Sequence, residues 1–415
     1  RVSFNSFIPA DLDDKLSGRL VDYYVGRLLD EPTLHDKVEF EIVFSCYTLD
    51  LPAQLCKLAA AGFSQTEQDK LAQSLRTLTN RVMHPDHGLW REDAKKLDIL
   101  DSRREEILSS KLDPVERIYW LLEDAKRYGT LPFAGLARVG FIAIQMLRSL
   151  LAVSIITKDD YEAFLRSVST VSGELSNDRT HLDKQSFFRK YGHLRPGTYD
   201  ILSMRYDESP DQYFDWNTKP TPSIKDRPFS FTAEQEQAIG ILLKQHGLNL
   251  DARAFVDFLQ SGIKLRELAK FKFTRNLSDA LSLAIEHGQS LGISREDLAY
   301  ANINVFKEMH VSAVNQKELL QDSICAGKKR YLDTLTISLP PIIVNPSDVW
   351  TFGWPDSSPN FITQKQVVAN VSPNCNRDEV EGKIVCIPNA DPGYDWLFSY
   401  SIAGLITAWG GCNSH

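Results

Sequence analysis

The stretch Gly382–His415 reads GKIVCIPNADPGYDWLFSYSIAGLITAWGGCNSH. Its apolar run Lys383–Ile387 suits a buried strand. The turn Pro388-Asn389-Ala390-Asp391-Pro392-Gly393 breaks that run, and Tyr394–Tyr400 follows as a short helix. A second apolar run, Ala403–Thr407, leads into Gly410-Gly411 and the polar group Cys412-Asn413-Ser414-His415. Strand, double glycine and a terminal histidine together form an arrangement that presents an imidazole at a helix start. Free N–H groups and the positive helix end there favour an anion such as a phosphoryl group. Gly410 and Gly411 let backbone approach that group closely, and Ser414 and Asn413 supply hydrogen-bond donors to it. A neutral imidazole nitrogen on His415 is nucleophilic towards phosphorus at pH 7.

Outward from this stretch, the prolines at 340, 341, 346, 355 and 359 mark a linker, and Phe361–Val371 reads as an early strand. Before the linker the chain is helical in pattern. Leu12–Leu29, Thr66–Met83, Pro114–Tyr128, Lys158–Val171 and Ser294–Met309 place apolar residues three and four apart. Asp113-Pro114, Thr157 and Thr232 are helix starts with capping side chains or acidic first turns. Leu131-Pro132-Phe133-Ala134-Gly135 reads as a turn ahead of the apolar segment Val139–Ile156. Gln145, Arg148 and Ser149 interrupt that segment, which makes it a buried helix rather than a membrane span. The expected architecture is a mostly α unit over residues 1–345, a linker over 346–360, and the start of an α/β unit over 361–415.

The 415 residues carry a formal charge of −8, which argues against broad nucleic-acid or anionic-membrane binding. Six cysteines without a CxxC pair indicate reduced thiols and a cytoplasmic setting. His84-Pro85-Asp86-His87 reads as a polar loop, and no metal site is expected. The chain opens on Arg1 and stops at His415, which reads as a fragment of a longer protein.

Thr407–His415 resembles the GG-x-x-S-H signature of the swivelling phosphohistidine domain of phosphoenolpyruvate synthase-like kinases. Pro388–Tyr394 resembles the DPG(W/Y) segment that precedes it. Two departures stand out: Trp409 takes the place of an Arg, and the helix that follows the histidine in that family is absent. The resemblance implies that His415 carries a phosphoryl group, supported by Gly410, Gly411, Asn413 and Ser414. ATP and Mg²⁺ would be bound by an ATP-grasp domain outside this chain.

The second similarity lies in Tyr191–Asp200 with Met204–Glu208, which resembles the acceptor-binding motif of those kinases. It makes His193, Arg195, Asp200 and Arg205 the expected acceptor pocket. Paired N–H donors of Arg195 and Arg205 suit a carboxylate or phosphoryl group, and Asp200 or His193 can take a proton. Read without the resemblance, this loop is equally a structural turn, and Leu34–Glu41 is a solvated helix face. Leu34–Glu41, Gly129–Ala134 and Pro359–Thr363 also resemble a branch of polysaccharide-cluster kinases that includes L-glutamine kinase. On that likeness the acceptor is L-glutamine, phosphorylated on its side-chain amide for capsule phosphoramidate. Other acceptors, such as water with pyruvate, an antibiotic hydroxyl or a sugar, and a non-catalytic scaffold stay open.

Overall fold

The computed structural model describes residues 2–216, 229–312, 315–340, 342–343, 345–353, 359–362, 365–372 and 375–410. The chain is mostly helical, with a small three-stranded parallel sheet near its C-terminus. Helix starts follow the local chemistry. Ser64 with Glu67, Asp113 with Glu116, Thr157 with Asp160, and Thr232 with Gln235 form capping boxes that satisfy otherwise free N–H groups.

The centre of the helical unit is the 39-residue helix Ala252–Ser290, packed along Leu131–Ala152 and Pro114–Asp124. Small residues let it come close. A Cβ on Gly262 would lie 3.0 Å from Ala143 Cβ, and one on Gly140 would lie 3.2 Å from Gly262 O. Leu131–Ala152 buries Leu136, Val139, Ile142, Met146, Leu147 and Leu150. The continuous run Pro114–Ala152 is long and apolar enough to cross a membrane, but its apolar side is used by the core.

Several sequence expectations change here. Leu131–Gly135 is the first turn of the helix itself, with Pro132 where a missing N–H costs nothing. Ser294–Met309 divides into Arg295–Leu298 and Val305–Val311. Leu34–Glu41 is not one α-helix: Pro32–Leu34 is a 3₁₀ turn, and Val38–Ile42 is a π turn in which Val43 N–H reaches Val38 O at 3.1 Å. Among the described residues of the early strand expected over Phe361–Val371, only the last, Val371, lies in a strand.

That residue opens β1 (Val371–Ser372), which pairs in parallel with β2 (Ile384–Asn389). β2 in turn pairs with β3 (Gly404–Trp409), with Ile384 opposite Gly404 and Asn389 opposite Trp409. Parallel neighbours need a crossover. Between β2 and β3 it is supplied by the 3₁₀ segment Pro392–Ser399. Val385, Ile387, Trp396 and Leu397 of this unit share a core with Leu175, Phe187, Tyr191, Tyr206, Phe214 and Phe271 of the helical unit.

The tight helix crossing gives a direct test. Gly262→Val should destabilise the chain by about 1–3 kcal/mol, because the added methyls must displace Ala143 and Val139. Urea unfolding followed by circular dichroism measures it, and an unchanged midpoint would contradict the close approach.

Candidate functional site

Two segments far apart in sequence meet in the shared core. Asp391 is buried, and its carboxylate accepts hydrogen bonds from Gly393 N at 2.9 Å, Thr198 Oγ1 at 2.8 Å and Thr198 N at 3.2 Å. Tyr206 donates its hydroxyl to Gly393 O at 2.8 Å and accepts from Trp396 N at 3.2 Å. Ser172 Oγ donates to Asp395 Oδ2 at 2.9 Å. No side chain fits at 393, where a Cβ would stand 1.8 Å from Arg195 O. The Asp391–Tyr394 turn is therefore seated directly on the loop Tyr191–Arg205. Burial pushes the Tyr206 hydroxyl far above its ordinary range, so it remains a neutral donor.

This seating decides what the loop residues do. Arg195 is buried, and its guanidinium donates to Ser278 Oγ at 3.3 and 3.2 Å and to Ser203 O at 3.2 Å. Burial, against the pull of Glu208, brings its pKa down to about 10. Arg205 donates to both oxygens of Asp207, at 2.8 and 2.6 Å, and to Asp279 Oδ1 at 2.9 Å. Arg104 takes the other Asp279 oxygen at 2.6 Å. Asp200 is exposed and accepts the Leu202 amide at 2.9 Å, a local turn bond. The guanidinium nitrogens of Arg195 and Arg205, expected to face an acceptor, thus meet protein oxygens and brace the loop.

His193 is the exception among the four. It is buried, its Nε2 has no hydrogen-bond partner, and its Nδ1 lies 3.5 Å from Arg275 Nε. Its ring meets Phe271 edge-on at 4.7 Å. Burial, and then the charges of Arg275, Arg205 and Arg104, hold its pKa well below 6.5, so the imidazole is neutral at pH 7.

A second meeting point lies at the end of β3. Asn360 Nδ2 donates to Asp36 Oδ2 and lies 3.4 Å from Gly410 O. Asp36 Oδ1 is buried without a partner. Gly410 takes φ +152°, a region where side chains are strained. Asp36, Asn360 and Gly410, each from a segment singled out in the sequence, therefore meet. Gly411, Asn413, Ser414 and His415 lie outside the described residues.

Two residues after Asp36, the π turn Val38–Ile42 borders a pocket of about 170 Å³ against the helix Leu131–Ala152. Phe40, Phe44, Asp50, Gln54 and Arg148 line it, and an adjoining recess adds Arg27 and Lys57. Arg148 stacks over Phe40 with its Cζ 4.8 Å from the ring centre. Arg27 donates to the carbonyls of Glu41 and Ile42. Asp50 Oδ2 accepts from Gln54 at 2.7 Å, while its Oδ1 is buried and unpartnered. Cys46 also lines the pocket, but burial pushes its thiol up to about 12, which makes it a poor nucleophile. Sequence reasoning missed Arg27, Asp50, Lys57 and Arg148, which are scattered over more than a hundred positions with no motif linking them. Only the run of charges around Asp36 hinted at this corner.

No family model matches the chain, and no solved structure matches it. Over 124 residues it is 31% identical to the asparagine–tRNA ligase of Shewanella amazonensis (strain ATCC BAA-1098 / SB2B), covering 28% of this chain and 24% of that protein. Over 127 residues it is 30% identical to the asparagine–tRNA ligase of Shewanella sediminis (strain HAW-EB3), covering 29% and 24%. The chain spans about a quarter of the length of these curated relatives. Membership of the phosphoenolpyruvate synthase-like kinases, and of their L-glutamine kinase branch, is corrected by these findings. The similarity found is to another enzyme, partial, and assigns no family.

The seated turn and the buried histidine each carry a test. Gly393→Ala should lower stability by about 2 kcal/mol or more, since backbone at Arg195 must move, whereas Tyr206→Phe should cost about 1–2 kcal/mol. Equal effects in chemical unfolding would refute the close contact. The folded state keeps His193 neutral, whereas the unfolded chain gains a proton below pH 6.5. Its contribution is therefore fully present above that pH and lost as pH falls below it. His193→Gln should flatten the stability profile between about pH 6.5 and 5, as measured by unfolding at several pH values.

Proposed function

We propose that this chain belongs to a phosphotransferase in which His415 is a transient phosphoryl carrier and ATP the donor substrate. The observation that carries the reading is the anchoring of Gly410 at Asn360, which also donates to Asp36. Asp36 holds a buried carboxylate oxygen with no partner among the described residues. His415 follows Gly410 by five residues in the sequence.

The chemistry has two displacements. In the first, a neutral imidazole nitrogen of His415 attacks the γ-phosphorus; the N–P bond forms, the bridging P–O bond breaks, and ADP leaves. In the second, an acceptor atom attacks phosphorus, the N–P bond breaks, and the imidazole recovers its lone pair. In this reading Asp36 orients or deprotonates the acceptor through its buried carboxylate oxygen. Guanidinium groups favour the charge that spreads over the transferred oxygens.

Mg²⁺ would neutralise the triphosphate during the first displacement. Among the described residues there is no group of three His, Cys, Asp or Glu side chains suited to a metal ion.

Full-length protein incubated with ATP should acquire an acid-labile, base-stable phosphate on His415, seen by mass spectrometry under neutral conditions. His415→Ala should abolish both the label and turnover. Absence of the label in the native protein, or turnover retained by the variant, would overturn the proposal.

A further inference from the structure

We infer that the pocket between the π turn Val38–Ile42 and the helix Leu131–Ala152 binds a small zwitterion, with its anionic group among Arg27, Lys57 and Arg148 and its N–H donor on Asp50. The inference rests on the proposed phosphoryl transfer only for calling that ligand the acceptor; binding stands by itself.

Charge is the first argument. Arg148 and Lys57 are exposed at the pocket mouth, and among the described residues neither forms an ion pair. Arg148 instead lies over the Phe40 ring, which fixes the guanidinium plane without using its donors. Arg27 spends one nitrogen on the π-turn carbonyls, which ties that turn to the cationic rim. With Glu41 and Asp50, which line the same recess, the five charged groups sum to about +1, which suits one anion and one donor.

The second argument is independent of the rim. Asp50 has one oxygen held by Gln54 and one buried oxygen with no partner, in the same pocket. A buried acceptor without a donor is costly, and an ammonium or amide N–H supplied by a ligand removes that cost. Within a volume of about 170 Å³, this polarity excludes a large apolar ligand and fits a small one. The π turn supports the reading, since such turns recur where backbone is reshaped around a site. Amino acids and aminoalkyl phosphates share this chemistry, and direct binding separates them.

Isothermal titration of the full-length protein, without ATP, should use L-glutamine, its des-amino analogue 4-carbamoylbutanoate, phosphoethanolamine and inorganic phosphate. At least one zwitterion should bind, about tenfold or more tighter than the anion that lacks an ammonium group. A carboxylate zwitterion binding alone identifies an amino-acid site, and phosphoethanolamine binding alone identifies an aminoalkyl-phosphate site. Arg148→Ala should weaken the bound zwitterion about tenfold. Asp50→Asn should do the same to the zwitterion while leaving binding of the plain anion unchanged, which a misfolded variant could not do. Failure of both zwitterions to bind, or equal binding of inorganic phosphate, would overturn the inference. Zwitterion binding together with an unlabelled His415 would keep the pocket and remove only the relay.

Discussion

The buried carboxylate of Asp391 is the constraint on which the C-terminal unit depends. Such a group is stable in a core only when donors surround it, and here the donors come from Gly393 and from Thr198, almost two hundred residues away. Lys270 adds to the compensation: burial disfavours its ammonium, while Asp391 and Asp395 favour it. Once Asp391 is satisfied in this way, Gly393 must lie against Arg195, and Tyr206 reaches Gly393 O and Trp396 N. A short sheet that could not hold itself together is thus fastened to a large helical body.

The fastening explains the polar density of the Tyr191–Glu208 loop better than ligand binding does. Arg195 braces Ser278 and Ser203, and Arg205 with Arg104 straddles Asp279. These side chains bind the loop to the long helix Ala252–Ser290, so that the loop presents a rigid seat to the turn. The cationic groups with donors to spare are elsewhere, at the mouth of the Phe40 pocket. β2 leaves the seat, and β3 ends at Trp409, next to the Gly410 that Asn360 links to Asp36.

Legibility in the sequence tracked how local the physics was. Helices with capping boxes at Asp113, Thr157 and Thr232 were readable because the cap, its partner and the apolar stripe lie within a few residues. The π turn at Val38 was not, since nothing in its composition distinguishes it from an ordinary helix, and neither was the reach of the strand around Val371. Arg195 is ambiguous for a related reason. An arginine in a Gly- and Pro-rich loop looks the same whether its donors face a ligand or a serine on a helix eighty residues on.

By itself the amino-acid sequence determined the helical first part and the strand–turn–strand order after Lys383. Those follow from periodicity, capping and turn chemistry, which act between neighbours in the chain. Only the tertiary structure decided that the DPGY turn sits on the Tyr191 loop, that Gly410 meets Asp36 through Asn360, and that Arg27, Lys57, Arg148 and Asp50 share one pocket. The physical reason is that pairing a buried charge, or gathering charges around a recess, depends on distances in space that no local pattern encodes.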